Sequence, residues 1–338
     1  MLKNILKFNP KIKLILADVD ETVADVYCKA APEMIMELNK LLSEGKVLFL
    51  ISGGGLQSIR ERIVDFIEPA LRYRVIIAHC MGAEVWGFQN DGNINLKPYY
   101  GLYEGHMTND QKKLWREIIK KTIDKFHLQI FSPQPKDEFK KNSNNNLLAA
   151  MLADRGAQIT FEFANSINLT EKQKNAAEQE LGIKVLKMHN IYDLRFPILE
   201  YLKKEYAVNQ LPIEPRFGGT FALDSILSGV NKTKAIKHVL EDKNILHNAG
   251  IDASKIKEIE EIEIWGDKYV QKKGAPDFDM CLAVSPKVRA IDFRRENTDE
   301  LPKGYNIQLW NGKNELHGGL LEYLQSRSIK DLKESKGG

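Results

Sequence analysis

Three short apolar runs near the start of the chain, Leu14–Ala17, Val47–Ile51 and Val75–Ala78, carry no alternation of polar and apolar positions. Runs of that length and kind are expected of strands buried on both faces. Between the first two, Met34, Ile35, Leu38, Leu41 and Leu42 share one helical face, with Pro32 suited to the first turn and Gly45 to the stop. Ile59, Ile63 and Phe66 mark a second amphipathic helix. Strand, helix, strand, helix, strand predicts a parallel, doubly wound sheet: an α/β, Rossmann-like core.

The pattern breaks near Trp86. Helices are expected at Leu114–Phe126, Glu171–Leu181 and Phe196–Tyr206, a loop at Asn142–Asn146, and strands at Leu148–Leu152 and Ala157–Phe163 around the turn Asp154-Arg155-Gly156. Strands set apart from helices predict an α+β domain. The first pattern resumes near Gly218, with a strand-like run Phe221–Leu227 and a helix through Ile236, Val239 and Leu240. Ile262–Trp265, Cys281–Val284 and Ile307–Trp310 are expected to complete the sheet, Gly318–Leu324 to form a last helix, and the polar tail from Ser328 to Gly338 to fray. The chain is thus expected to be a parallel-sheet core, 1–88 and 215–338, interrupted by an inserted α+β cap domain, 89–214.

Composition narrows the functional class. Over 338 residues, 43% hydrophobic and 28% charged content is that of a globular protein, and a formal net charge of +3 provides no basic field for nucleic acid. The lysine pairs Lys120-Lys121, Lys140-Lys141 and Lys272-Lys273 read as solvated faces. Cys28, Cys80 and Cys281 form no C-x-x-C pair, which argues against a disulfide framework or a zinc site, and His79 beside Cys80 reads as packing. Met1–Pro10 lacks the apolar core of a signal peptide, and no apolar run reaches the ~18 residues of a membrane span. The expectation is a cytoplasmic protein acting on a small molecule, with no nucleic-acid or membrane partner.

The chemistry lies where the strands end. The first runs into Asp18-Val19-Asp20-Glu21-Thr22, the second into Ser52-Gly53-Gly54-Gly55, and Ile262–Trp265 into Gly266-Asp267, while Lys232 follows Phe221–Leu227. In a parallel sheet such ends share one edge, outside which ligands bind. Two carboxylates at the end of a buried strand repel and call for a cation, unless the turn is simply solvated. Oxygen ligands beside a phosphate select Mg²⁺. A carboxylate can attack phosphorus, a hydroxyl and an ammonium can hold the phosphoryl oxygens, and a second carboxylate can move protons. Plainer readings stand beside these. Ser52 can cap the next helix, although helix amino termini also bind anions; its glycine run is no P-loop, because no Gly-Lys-Ser/Thr follows. Asp277 can cap a helix, Lys234 competes with Lys232, and Arg155 can pair with Asp154 across their turn.

These residues, in this order, resemble the haloacid dehalogenase-like phosphatases. Asp18-Val19-Asp20-Glu21-Thr22 is similar to motif one (D-x-D-x-T), Ser52 to motif two, Lys232 to motif three, and Gly266-Asp267-Lys268 with Gly274-Ala275-Pro276-Asp277-Phe278-Asp279 to motif four. An insertion between motifs two and three marks the subclass with a large α+β cap. Gly218-Gly219-Thr220 and the run Asp154 to Phe161 look like the phosphomannomutase-like sugar phosphatases. The resemblance implies an aspartyl-phosphate on Asp18, acid and base work by Asp20, and phosphate held by Ser52, Gly53 and Lys232. It implies Mg²⁺ held by Asp18, Asp20 through its backbone carbonyl, Asp267 and Asp277, and cap contacts from Arg155 and Asp224. Departures are Glu21 where glycine is usual, Ala24-Asp25-Val26-Tyr27 without the early arginine of the mutases, Ala222 for a serine, Ala275-Pro276-Asp277 for Gly-Asn-Asp, and no arginine in Glu162-Phe163-Ala164-Asn165-Ser166. They favour hydrolysis of a sugar phosphate over hexose phosphomutase activity. A non-catalytic binding module on the same fold is disfavoured because Asp18, Asp20, Lys232 and Asp267 are all present.

Overall fold

The computed structural model describes residues 5–188, 190–218, 221–271 and 276–327. The expectations placed on Gly219-Thr220, Lys272-Lys273, Gly274-Ala275 and the tail from Ser328 lie outside the described residues. Two compact units form, 1–101 with 230–338, and 102–229.

The first unit opens with β1 (Leu14–Asp18), β2 (Val47–Ile51), β3 (Val75–His79), β4 (Glu84–Trp86) and β5 (Tyr100–Gly101). The chain then builds the second unit with β6 (Gln129–Phe131), β7 (Ala149–Asp154), β8 (Gln158–Glu162), β9 (Ile167–Leu169), β10 (Lys187–Met188), β11 (Ile191–Asp193), β12 (Ile213–Gly218) and β13 (Ala222–Leu227). It returns to the first with β14 (Ile262–Gly266), β15 (Arg289–Asp292) and β16 (Ile307–Leu309).

In the first unit the sheet runs β16-β15-β14-β1-β2-β3-β4-β5. It is parallel from β16 to β3 and antiparallel from β3 through β5. Every residue of β1, β2 and β3 is buried, because helices cover both faces. Successive residues of β1 point to opposite faces. Ile15 and Ala17 pack with Leu38, Leu41 and Tyr323, while Leu14 and Leu16 pack with Ile236, Val239 and Leu246. Each large aliphatic side chain buried in this way contributes on the order of 1.5–3 kcal/mol. The central place of β1 puts its carboxyl end in the middle of one sheet edge.

The second unit holds a five-stranded sheet, β12-β13-β8-β7-β6, and a three-stranded one, β10-β11-β9. The helices Asn109–Lys125 and Arg195–Val208 pack together, with Trp115 donating to the Tyr206 hydroxyl at 3.2 Å and that hydroxyl 2.8 Å from Ser225 Oγ on β13. Capping boxes at Thr108/Gln111 and Thr170/Gln173 start the helices Asn109–Lys125 and Glu171–Leu181.

Three expectations are corrected. The borders between units fall after Gly101 and after Gly229, because the short antiparallel β4 and β5 extend the core sheet while β12 and β13 pair with each other and with β8. The run Phe221–Leu227 is therefore a strand of the inserted unit. Cys281–Val284 is not a strand: Phe278–Cys281 is a helical turn, and Arg289–Asp292 fills the place beside β14. A short apolar run does not distinguish a strand from a buried helical turn. Among the described residues, no helix is long and apolar enough to cross a membrane.

Candidate active site

The carboxyl ends of β1, β2 and β14 bring together the acidic turn, the glycine loop and Asp267. Asp18 closes β1 opposite Ile51, the residue before Ser52. After Asp18 the chain turns sharply: Val23 and Ala24 both donate to the Val19 carbonyl, and Glu21 N donates to Ala24 O at 2.7 Å. Glu21 sits at φ 68°, in the left-handed region, which costs a residue with a side chain ~1–2 kcal/mol. Two cations hold it there: Lys268 Nζ at 2.9 Å and Arg294 at 2.5 Å from Oε2. Burial works against ionisation of Glu21, but Lys268 and Arg294 outweigh it and lower its pKa.

Lys232 is not at a strand end. It is the first residue of the helix Lys232–Glu241, capped by the Asn231 side chain, and it is 1% exposed. Its ammonium donates to Asp18 Oδ1 at 2.5 Å and to Asp277 Oδ1 at 2.8 Å. Lys234 is exposed, and its backbone N–H is taken by the Asn231 cap. The other oxygen of Asp277 accepts from the backbone N–H groups of Asp267 and Lys268, each at 2.9 Å. A Cβ on Gly266 would lie 2.8 Å from that oxygen, so β14 must end in glycine here. Asp277 thus holds Lys232 and the turn after β14 in register.

Oxygens of Asp18, Asp267 and Asp277, all buried, lie within 4.8 Å of one another. Burial first, then the Asp277 charge, raises Asp18 well above the usual carboxylate range in spite of Lys232. Burial and Asp277 likewise raise Asp267 to about 6. Burial disfavours the charged form of Lys232, yet Asp18 and Asp277 hold its pKa up. A site that keeps two carboxyls reluctant to ionise has room for a further positive charge, and an all-oxygen donor set fits Mg²⁺.

Ser52 is 1% exposed; its hydroxyl donates to Asp20 Oδ2 at 3.1 Å and accepts from Gly54 N at 2.8 Å. It therefore braces its own loop, while Gly55 caps the helix Leu56–Arg62. Met81 N donates to Ser52 O at 2.9 Å and Cys80 N to Gly54 O at 3.0 Å, which pins the loop to the end of β3. Gly53 lies between these two anchors, where a Cβ would meet Met81 Sδ at 3.4 Å.

Three residues to which sequence reasoning gave no role touch this edge. Arg62 NH1 lies 2.8 Å from Asp20 Oδ1. Arg294 donates to the carbonyl and the carboxylate of Asp267. Lys268 pairs with Glu21 and lies 3.6 Å from Asp267. Lys268 was legible as the neighbour of Asp267, whereas no spacing connects Arg62 or Arg294 to the motifs.

Arg155 and Asp224 lie in the inserted unit, joined through Thr160. Arg155 NH1 donates to Thr160 Oγ1 at 3.0 Å, and that hydroxyl donates to Asp224 Oδ1 at 2.7 Å. Gln158 Nε2 also donates to Asp224, at 2.9 Å. Asp154 pairs across to Arg116 at 2.9 Å.

No family model matches the sequence, and no curated protein matches it. Solved structures do match. The C-terminal domain of a C. albicans trehalose-6-phosphate phosphatase superposes at TM-score 0.56 with 14% identity, over 94% of this chain and 93% of that one. A trehalose-6-phosphate phosphatase related protein superposes at TM-score 0.50 with 11% identity, over 95% and 100%. A phosphatase of the haloalkanoate dehalogenase superfamily from Bacteroides thetaiotaomicron matches at TM-score 0.45 with 14% identity, over 97% and 98%. The chain shares the fold of these trehalose-6-phosphate phosphatases, here a Rossmann-like core with an inserted α+β unit.

Proposed function

We propose that this protein is a Mg²⁺-dependent phosphatase that hydrolyses a small phosphorylated metabolite, a sugar phosphate, through an aspartyl-phosphate on Asp18. The observation that carries the reading is the buried Asp18–Lys232–Asp277 chain of charges beside Asp267 at the carboxyl edge of the sheet.

Lys232, 2.5 Å from Asp18, neutralises charge on the transferring phosphoryl group. Ser52 and the backbone of Gly53 hold its other oxygens. Asp18 attacks phosphorus while Asp20 gives a proton to the leaving alkoxide; Asp20 then takes a proton from the water that cleaves the acyl phosphate, returning both groups to their starting states. Asp18 and Asp267, with the Asp20 carbonyl, would hold Mg²⁺, and Asp277 would fix the geometry around it. The ion supplies charge neutralisation at the phosphoryl oxygens.

The inserted unit supports hydrolysis over mutase chemistry. A mutase must also clamp a second phosphate, best done by free guanidinium forks. Of the four arginines in the inserted unit, Arg116 is bound to Asp154, Arg155 donates to Thr160, and Arg195 is buried against Asp193 and the Ala222 carbonyl, which leaves Arg216 as the one not accounted for here. A phosphorylated sugar as substrate accords with the trehalose-6-phosphate phosphatases that share the fold. The test is a screen of phosphorylated sugars, polyols and nucleotides with Mg²⁺, reading phosphate release. Turnover that peaks on a sugar phosphate and vanishes in Asp18→Asn supports the reading; no turnover on any ester refutes it.

A further inference from the structure

We propose that Arg62 is a positioning residue for Asp20, holding its carboxylate against the glycine loop, where a leaving oxygen is protonated. The inference rests on the acid–base role given to Asp20 above. Asp20 projects from a turn rather than a strand, and its side chain is 28% exposed, so nothing in its own backbone prevents it from rotating into solvent. Two groups hold it. Ser52 donates to Oδ2 at 3.1 Å, and Arg62 NH1 stands 2.8 Å from Oδ1. Oδ1 itself is buried and receives no aligned hydrogen bond, so the Arg62 guanidinium meets it as a charge contact, with its N–H directed off the line to the oxygen. Without Arg62 that oxygen would be buried with no counter-charge, and the side chain would gain by turning outward.

Arg62 is itself anchored. Its side chain is 8% exposed, Nε donates to Cys28 O at 2.8 Å and NH2 to Asp25 O at 2.7 Å. Two of its three nitrogens therefore fix the fork on the loop that follows the acidic turn, and the third faces Asp20. Arg62 ends the helix Leu56–Arg62, whose amino end is Gly55 of the glycine loop. One short rigid element thus carries both the loop assigned to phosphate and the group that aims the acid.

The test compares esters that need a proton on the leaving group with one that does not. Benzyl, phenyl and 4-nitrophenyl phosphate form such a series, and kcat/KM reports on the phosphoryl-transfer step. In Arg62→Met, kcat/KM should fall roughly ten- to a hundredfold on benzyl phosphate but no more than about twofold on 4-nitrophenyl phosphate, since a general acid contributes about 10²–10⁴ and is here misplaced, not removed. A crystal structure of the variant should show the Asp20 carboxylate turned from Ser52. An equal fall on all three esters, no fall on benzyl phosphate, or an Asp20 that stays at Ser52 overturns the proposal. If Arg62→Met does not fold, Arg62→Lys carries the same comparison, because one ammonium cannot reach both carbonyls and Asp20, and it should show the same bias to a smaller degree. Asp20→Asn separates the two levels of inference. If that variant shows no leaving-group bias, the acid role itself is wrong; if it shows the bias and the Arg62 variants do not, only the positioning role falls.

Discussion

Replacing Lys232 by methionine tests the charge arrangement without reference to any substrate. Methionine keeps the length and apolar stem, so the change removes mainly the ammonium that lies 2.5 Å from Asp18 and 2.8 Å from Asp277. What remains is a set of buried carboxyls with oxygens within 4.8 Å of one another. Two charges at that distance repel by ~3–4 kcal/mol at an effective dielectric constant of ~20. Breaking a buried ion pair by removing one partner costs about 3–5 kcal/mol. The two figures describe the same effect, so Lys232→Met should lose about 3–5 kcal/mol at pH 7.5. That is a large share of a typical total of ~5–15 kcal/mol, but not necessarily all of it. The loss should shrink as the pH is lowered. Asp18 is already held well above the ordinary carboxylate range by burial and by Asp277, and removing Lys232 raises it further. An acid whose pKa is higher in the folded than in the unfolded state binds protons more tightly when folded, so acidification favours the folded variant. Urea unfolding followed by circular dichroism, in chelator, at pH 7.5 and pH 5, measures both effects. A loss below about 1 kcal/mol at pH 7.5, the range of an exposed pair, would refute the burial argument. An equal loss at both pH values would refute the assignment to carboxylate repulsion.

Three further outcomes are expected. Asp18→Asn should abolish turnover while the protein still melts cooperatively, because an amide is neither nucleophile nor anionic ligand; phosphate release at near wild-type rate by the purified variant would remove Asp18 from the mechanism. Activity should vanish in excess chelator, return with Mg²⁺ and be blocked by Ca²⁺, whose longer bonds and higher coordination number disturb in-line geometry; full activity in chelator would contradict the oxygen-donor reading. His79 opposes its own burial through contacts with Cys80 at 3.2 Å and Glu84 at 2.9 Å, which raise its pKa to about 9. Its contribution to stability is full below about pH 6.5 and lost as pH rises through about 9, a change on the order of 3–4 kcal/mol that His79→Gln should abolish.

The core was legible because its strands are buried on both faces and its helices on one, so period and composition agree for Leu14–Ala17, Val47–Ile51 and Met34–Leu42. The acidic turn, the glycine loop and Asp267 could be placed together because strand ends in a parallel sheet share an edge. Two kinds of feature were not legible. Short antiparallel strands such as Glu84–Trp86 and Tyr100–Gly101 have too few residues to show a period, and this displaced the domain borders. Long-range polar partners such as Arg62 and Arg294 are set by where a side chain reaches, which no local pattern records.

The central position of β1 has a consequence for how the chain is made. One edge of β1 is completed early, by β2, but the other waits for β14. Thr22, just past β1, and its hydrogen-bond partner Asp267, just past β14, are 245 positions apart. At synthesis rates of ~5–20 residues per second, that edge stays unpaired for on the order of 10–50 s after it is made. During that interval a strand that is apolar from Leu14 to Ala17 offers free backbone donors and acceptors to any neighbouring strand. The inserted unit, whose own sheets are complete before β14 is made, can fold meanwhile. Chains that end at Gly229 should therefore bind chaperones and aggregate through β1, whereas released chains that include β14 and β15 should not.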